Sequence, residues 1–287
     1  VKNTPHLTFL RAHDYALLNP LQVESQFWQG LPSESLAPSA YIAQQHLFPR
    51  LIKLSEVPAE GLETLLKRSD AHGRYSQKPF FSALLISSVS HESLTDHLRR
   101  QSVLRAPIPA RETGQLRYHD PLVFRHMMWL LTRGQMRSLL GPIDCWSWFD
   151  SEQGWRQNER EPGYAGQRWF PDKSQWKSFK RMGLLNRCLK HWAKLVPSLT
   201  GREDFWRRSD EMLRLSREAA GLVEEADRRL YAEQELRYPG VTRHERLVER
   251  LGRVHEGITS YSVACQDMSD NVLRQCRVEL MRSQHGG

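Results

Sequence analysis

Apolar positions in the first half of the chain fall into short clusters. Tyr15-Ala16-Leu17-Leu18 stops at Asn19-Pro20, and a run from Phe80 follows Lys78-Pro79, lengths that suit strands rather than stable helices. Phe80 to Ser88 reads as a central strand. Ser90 then precedes Leu94, His97 and Leu98 at helical spacing, which predicts a Ser-capped helix reaching Arg100. Ser93 holds the position where a capping box would place Glu or Gln, so only the simple cap is expected.

Arg105 to Thr113, rich in Pro and polar residues, marks a loop or hairpin, after which Gln115-Leu116-Arg117-Tyr118 is expected to re-enter the sheet. Asp120-Pro121 is a helix start, because Asp accepts free amide hydrogens and Pro tolerates the first helical position. Leu122, Phe124, Met127, Met128, Leu130 and Leu131 give that helix a broad apolar face. Gly134 and Gly141-Pro142 punctuate the next stretch of chain, with Met136, Leu139 and Leu140 between them, and Ile143, Cys145, Trp146, Trp148 and Phe149 predict another strand.

The period then changes to that of amphipathic helices. Trp176, Phe179, Met182, Leu185, Leu189 and Trp192 recur at three- and four-residue steps, and Met212, Leu215, Ala219, Leu222, Ala226 and Leu230 form a second stripe closed by Tyr238-Pro239-Gly240. Leu247, Leu251 and Val254 make the next, which Gly257 ends; Thr259 or Ser260 caps a last helix carrying Ala264, Met268, Val272 and Leu280. Between the two regimes, residues 151–166 contain Pro162, Gly163 and Gly166 and have the composition of a linker or mobile loop. The expected class is α+β: a mixed α/β domain with a short-stranded sheet over residues 1–150, then an all-helical bundle over residues 167–287.

Composition narrows the function classes. With 287 residues, nine Trp and ten Phe the chain can bury a substantial core, and no apolar run approaches the about 20 residues of a membrane span. Val1 to His6 lack the apolar centre of a secretory signal, so the cytoplasm is the default expectation. Cys145, Cys188, Cys265 and Cys276 form no CxxC pair and suit reduced, buried thiols. Cys188 and His191 make a lone C-x-x-H, and His91, His97, His119 and His126 match no short ligand motif, so neither a metal nor a cofactor is expected. G-x-S-x-G, P-loop and dinucleotide fingerprints are absent. Arg117, His119 and Asp120 can be arranged as a hydrolase cluster. However, capping already explains Asp120, and strand alternation would put Arg117 and His119 on one face and Tyr118 on the other. The expectation is a protein without catalytic residues.

The net charge of +8 is unevenly spread: residues 151–200 carry 10 basic and 4 acidic groups, against 16 and 13 before them and 15 and 16 after. In residues 155–194 basic side chains alternate with Trp155, Trp169, Trp176 and Trp192, a pattern that can bind single-stranded nucleic acid by phosphate pairing and base stacking. That is the alternative reading. Trp176 and Trp192 share a stripe with Phe179 and Leu189 and are assigned to a core, whereas Trp155 and Trp169 are freer for contact.

Leu116-Arg117-Tyr118-His119-Asp120-Pro121-Leu122-Val123, followed by Leu139-Leu140-Gly141-Pro142-Ile143 and Trp146, resembles the type VI secretion effector chaperones, also called adaptor proteins. Their hallmark is an Arg-aromatic-x-Asp-Pro block, a helix, and a Gly-Pro segment leading to a tryptophan. His97-Leu98-Arg99-Arg100 is similar to that family's His-Leu-Arg segment, Ser39-Ala40-Tyr41-Ile42 loosely to its Pro-Tyr-Leu, and Gly257-Ile258-Thr259-Ser260 to a helix junction. Asn19 and Ala40 depart from the usual Asp and Pro. The resemblance spans roughly residues 7 to 150 and implies a cytosolic, non-enzymatic adaptor. Such a protein holds a toxic effector and helps load it onto the VgrG spike, with Arg117, Tyr118, Asp120, Pro121, Gly141, Pro142 and Trp146 as framework. Cargo recognition would fall to the variable C-terminal part. Aromatic and arginine side chains dominate interfaces, which makes Trp155, Arg168, Trp169, Phe170, Arg202, Phe205 and Trp206 the candidate anchors.

Overall fold

A computed structural model describes residues 3–76, 78–151, 153–162, 168–195 and 202–285. The chain divides into two compact units, Val1–Trp176 and Lys177–Gly287. The class is α+β, with an antiparallel sheet in the first unit and helices throughout the second.

In chain order the first unit contains α1 (Leu7–Arg11), β1 (Tyr15–Leu18), α2 (Ser25–Trp28), β2 (Ser33–Ser35), a 3-10 segment (Ser39–Leu47), β3 (Arg50–Lys53) and α3 (Ala59–Ser76). Then come β4 (Phe81–Ile86), α4 (His91–Gln101), β5 (Val103–Arg105), β6 (Thr113–Gln115), α5 (Pro121–Leu130), α6 (Arg133–Leu140), β7 (Cys145–Asp150) and β8 (Gly154–Glu159). Six strands pair antiparallel in the order β2-β3-β1-β4-β7-β8. As its apolar run predicts, β4 lies inside the sheet, flanked by β1 and β7, with Phe81, Ala83, Leu84 and Leu85 all buried.

Register sorts the two faces. Ala16 opposes Ile52 and Leu84, and these pack with Leu10, Leu18, Leu62 and Leu65, so one face is covered by α1 and α3. Leu85 opposes Trp146, which puts the tryptophan on the other face, against Phe124 of α5. Helix α5 starts as expected: the Asp120 carboxylate accepts from Leu122 N at 3.0 Å, with Pro121 in the first turn. Its inward face holds Phe124, His126, Met127 and Trp129, while Leu122 and Met128 point outward.

Three elements of the first unit differ from the expectation. Gln115–Tyr118 does not return to the sheet: β6 pairs only with β5 in a separate hairpin, Leu116 N donates to Ser102 O, and a turn from Arg117 O to Asp120 N begins α5. Strand alternation therefore does not apply there, and Tyr118 and His119 are both buried. Residues 154–159, expected in a linker, form β8 and extend the sheet from β7 in register Cys145↔Glu159 to Asp150↔Gly154. The division of the chain falls after Trp176 instead, while residues 152 and 163–166 of the expected linker, and residue 167 next to it, lie outside the described residues. The punctuated stretch after Thr132 is the helix α6, fixed by a reciprocal Thr132–Gln135 capping box.

Helix α7 (Lys173–Trp192) starts at the end of the first unit; the second continues with α8 (Glu203–Glu218), α9 (Glu225–Arg237), α10 (Glu245–His255), α11 (Tyr261–Ala264) and α12 (Asp270–His285). The expected single stripe from Met212 to Leu230 is two helices, broken at Gly221, whose φ of +65° suits glycine. The inward face of α8 is Phe205, Trp206, Ser209, Asp210, Leu213 and Ser216. Ser260 caps as expected, but the helix it opens is only α11, and α12 is separate. The Asp227 carboxylate accepts from Tyr261 N and Ser262 N, tying α9 to α11 around a core of Val241, Leu247, Tyr261, Leu273 and Cys276. Among the described residues no helix is long and apolar enough to cross a membrane.

Candidate partner-docking surface

The signature residues converge as framework. Tyr118 Oη donates to Leu98 O at 3.0 Å, Trp146 stacks on Phe124 at 4.9 Å and meets Tyr118 edge-on at 5.9 Å, and Ser87 Oγ donates to Pro142 O at 2.9 Å. Arg117 pairs with Asp120 at 3.0 Å, so the Asp120 carboxylate is divided between that guanidinium and the Leu122 amide. His119 lies buried beside them, and neither ring nitrogen has a hydrogen-bond partner among the described residues. Burial, and then the charge of Arg117, push its imidazole down to about 3. A base needs a proton path and an orienting partner, and His119 has neither in this packing.

The other histidines disperse to separate roles. His91 meets Glu34, His97 donates to Leu139 O, and His126 Nδ1 accepts from Trp129 Nε1. Cys188 is buried, and its sequence neighbour His191 faces Glu233 at 3.5 Å. Among the described residues no three His, Cys, Asp or Glu side chains gather as a metal-binding group.

The candidate anchors separate into core and surface. Trp155 is half-buried between the rings of Phe9 and Phe149. Trp169 is buried and donates from Nε1 to Gln101 Oε1 at 2.9 Å. Phe205 and Trp206 are buried, and Arg202 is occupied by Asp204 at 3.0 Å. Arg168 and Phe170, on either side of Trp169, face outward, and Phe170 is 52% exposed. Tryptophans near glycine and proline read as loop contacts in sequence, but Trp155 is half-buried against two aromatic rings and Trp169 is buried, because burial of so large a ring returns about 2–3 kcal/mol.

Arg168 belongs to a groove of about 780 Å³ in the first unit, formed by residues 37–42, the last turns of α4 and the β5–β6 hairpin. Arg99, Arg100, Arg105 and Arg168 line it, with Asp96 as the one carboxylate in the lining among the described residues. Arg99 is held by Glu34 at 2.5 Å, whereas Arg100, Arg105 and Arg168 have no carboxylate within ion-pair distance among the described residues. Burial, and then the like charges of Arg105 and Arg100, push the Arg168 guanidinium downward.

The groove's edge is a nine-residue 3-10 segment, Ser39–Leu47, that buries none of its own side chains and kinks at Tyr41 and Gln44. It presents Ile42 at 60% exposure, and Phe170 lies 5.8 Å beneath the Arg168 guanidinium. Ile42, Arg100 and Arg105 were not among the expected anchors. Ile42 and Arg100 stand in the two segments singled out in the sequence, Ser39–Ile42 and His97–Arg100, whereas Arg105 lies in neither, and only the fold brings the three together.

Residues 12–138 match the family model described as a domain of unknown function, DUF4123. The match spans both of those segments and the β5–β6 hairpin, and stops within α6, before Arg168. No curated protein and no solved structure matches the chain.

Proposed function

We propose that the chain is a non-enzymatic cytoplasmic adaptor, which holds a toxic effector and helps load it onto the VgrG spike of a type VI secretion system. The observation that carries this reading is the first unit's groove. Three arginines without carboxylate partners among the described residues stand beside exposed Ile42 and Phe170, the combination of cation and apolar anchor that dominates protein interfaces. The DUF4123 match supports it, because it covers the Leu116–Val123 block of the adaptor-like signature, though it stops before Gly141, Pro142 and Trp146.

An effector surface bearing Asp or Glu beside an apolar side chain fits this groove, and charge complementarity would speed its capture. The test is co-expression with the neighbouring effector and spike proteins, followed by pull-down. Retention of both, and loss of the effector in Arg100→Glu with Arg105→Glu, is the expected result. A chain that retains neither partner would end this reading.

The alternative, a nucleic-acid module over residues 155–194, keeps its basic side chains but loses its stacking platform. Trp169 and Trp192 are buried, and Trp155 and Trp176 are partly so.

A further inference from the structure

Helix α7 presents Lys177, Lys180, Arg181, Leu184 and Arg187 at three- and four-residue spacing, hence on one side. Facing it is the corner where α8 gives way to α9, and between them lies a second groove of about 780 Å³, wholly within the second unit. Seven of its lining residues are Lys or Arg and two are Glu.

This groove already holds carboxylates, its own. Arg187 grips Glu225 with two nitrogens at 2.7 Å each, and Arg214 grips Glu211 while sharing Glu218 with Lys177. Arg181 is neutralised by the buried Asp210. Arg217 and Arg228 are different. Neither has a carboxylate within ion-pair distance among the described residues; Arg217 reaches only Leu222 O at 3.5 Å, and Arg228 reaches Leu213 O and Ser216 Oγ. Beside them Val223 is 65% exposed, and Gly183 leaves the opposite wall open, since a Cβ there would meet only Arg187 Nη1 at 3.5 Å.

We infer that this groove docks an acidic protein segment, whose carboxylates complete Arg217 and Arg228 while an apolar side chain covers Val223. A peptide fits better than a nucleic acid for two reasons. Among the described residues no aromatic side chain lines the groove for base stacking, and Glu218 and Glu225 in the lining would repel a continuous phosphate backbone, whereas a peptide can set uncharged residues against them. The inference concerns a different unit from the Arg100–Arg105 groove and holds whether or not the chain loads an effector.

The experiment uses the full chain and a labelled peptide of Glu and Leu, followed by fluorescence anisotropy, with oligo-dT of equal charge as the comparison. Saturable peptide binding is expected, weakened about tenfold or more by Arg217→Ala with Arg228→Gln and unchanged by Arg100→Glu with Arg105→Glu. Because Arg228 also supports the end of α8, Arg217→Ala alone serves as a second variant, expected to weaken binding about threefold with an unshifted thermal melt. Glu225→Gln, which frees Arg187, tightens the peptide. Absence of saturable binding, indifference to Arg217→Ala, or tighter binding of oligo-dT than of peptide each overturns the inference.

Discussion

The imidazole of His97 occupies the space that a side chain at residue 141 would need: a Cβ built on Gly141 falls 2.1 Å from His97 Cε1. The same ring donates from Nε2 to Leu139 O at 2.8 Å, so it also closes the end of α6. Gly141 has φ +57°, a conformation that favours glycine independently of the ring. Two segments 42 residues apart in sequence, His97 and the Leu139–Pro142 turn, are thus one packing unit.

Gly141→Ala is therefore expected to cost about 3 kcal/mol, combining backbone strain with an overpacked contact. Urea denaturation measures it, and a double-mutant cycle with His97→Ala separates the two parts. Removing the ring relieves the contact but not the strain, so the pair should recover only part of the loss. A cost under about 1 kcal/mol would contradict this packing account.

Acid should destabilise the first unit through two buried imidazoles. Burial pushes His97 down to about 4 and His119 down to about 3, both below the ordinary 6.5. Between 6.5 and those values the unfolded chain binds more protons than the folded one, so stability falls as pH falls, by on the order of 3 kcal/mol per imidazole near pH 4. His119→Leu removes one of them. Since neither His119 nitrogen has a partner, that variant should match the parent within about 1 kcal/mol at pH 7 and show a shallower acid limb in denaturation measured across pH. An unchanged acid limb would show that His119 does not titrate in this way.

Arg181 and Asp210 form a buried, two-pronged ion pair at 2.5 and 2.7 Å, with Ser178 Oγ donating to the same carboxylate at 2.8 Å. Asp210→Ala leaves a buried guanidinium without its counter-charge and should cost about 3–5 kcal/mol. Replacing both, Arg181→Met with Asp210→Leu, should recover most of it. If the double variant is as unstable as the single one in thermal melts, the loss comes from packing rather than from the stranded charge.

Trp169 and Phe170 are neighbours with opposite assignments. Trp169→Ala is expected to lower stability by about 3–5 kcal/mol, because it empties a core position and strands the Gln101 carbonyl. Phe170→Ala should change stability by less than about 1 kcal/mol. A pull-down sensitive to Phe170→Ala in a chain of unchanged melting temperature would place the docking surface where proposed; the reverse pattern would move it.

Local chemistry made much of the framework legible. Ser90, Asp120-Pro121, Gly257 and Ser260 mark helix ends through interactions a few residues long, and the apolar run at β4 announced an interior strand. The misread elements depend on distant partners. β8 is a polar edge strand whose pairing is supplied by β7, Leu116–Tyr118 has its β-like sequence consumed by a hairpin and a turn, and the stripe through α8 and α9 hides a break at Gly221.

The sequence by itself determined the α+β class, most helix caps, the excess of positive charge and the signature that became framework, because each depends on spacing or on neighbours within a turn. Only the tertiary structure decided which of the tryptophans and arginines are available. Trp169 and Trp206 went inward because a large apolar ring gains most from burial. Arg181, Arg187 and Arg214 found carboxylates from other helices or other turns, while Arg100, Arg105, Arg217 and Arg228 found none within ion-pair distance among the described residues. Composition counts these side chains alike; the pairing of each charge through space leaves two grooves with positive charge to offer.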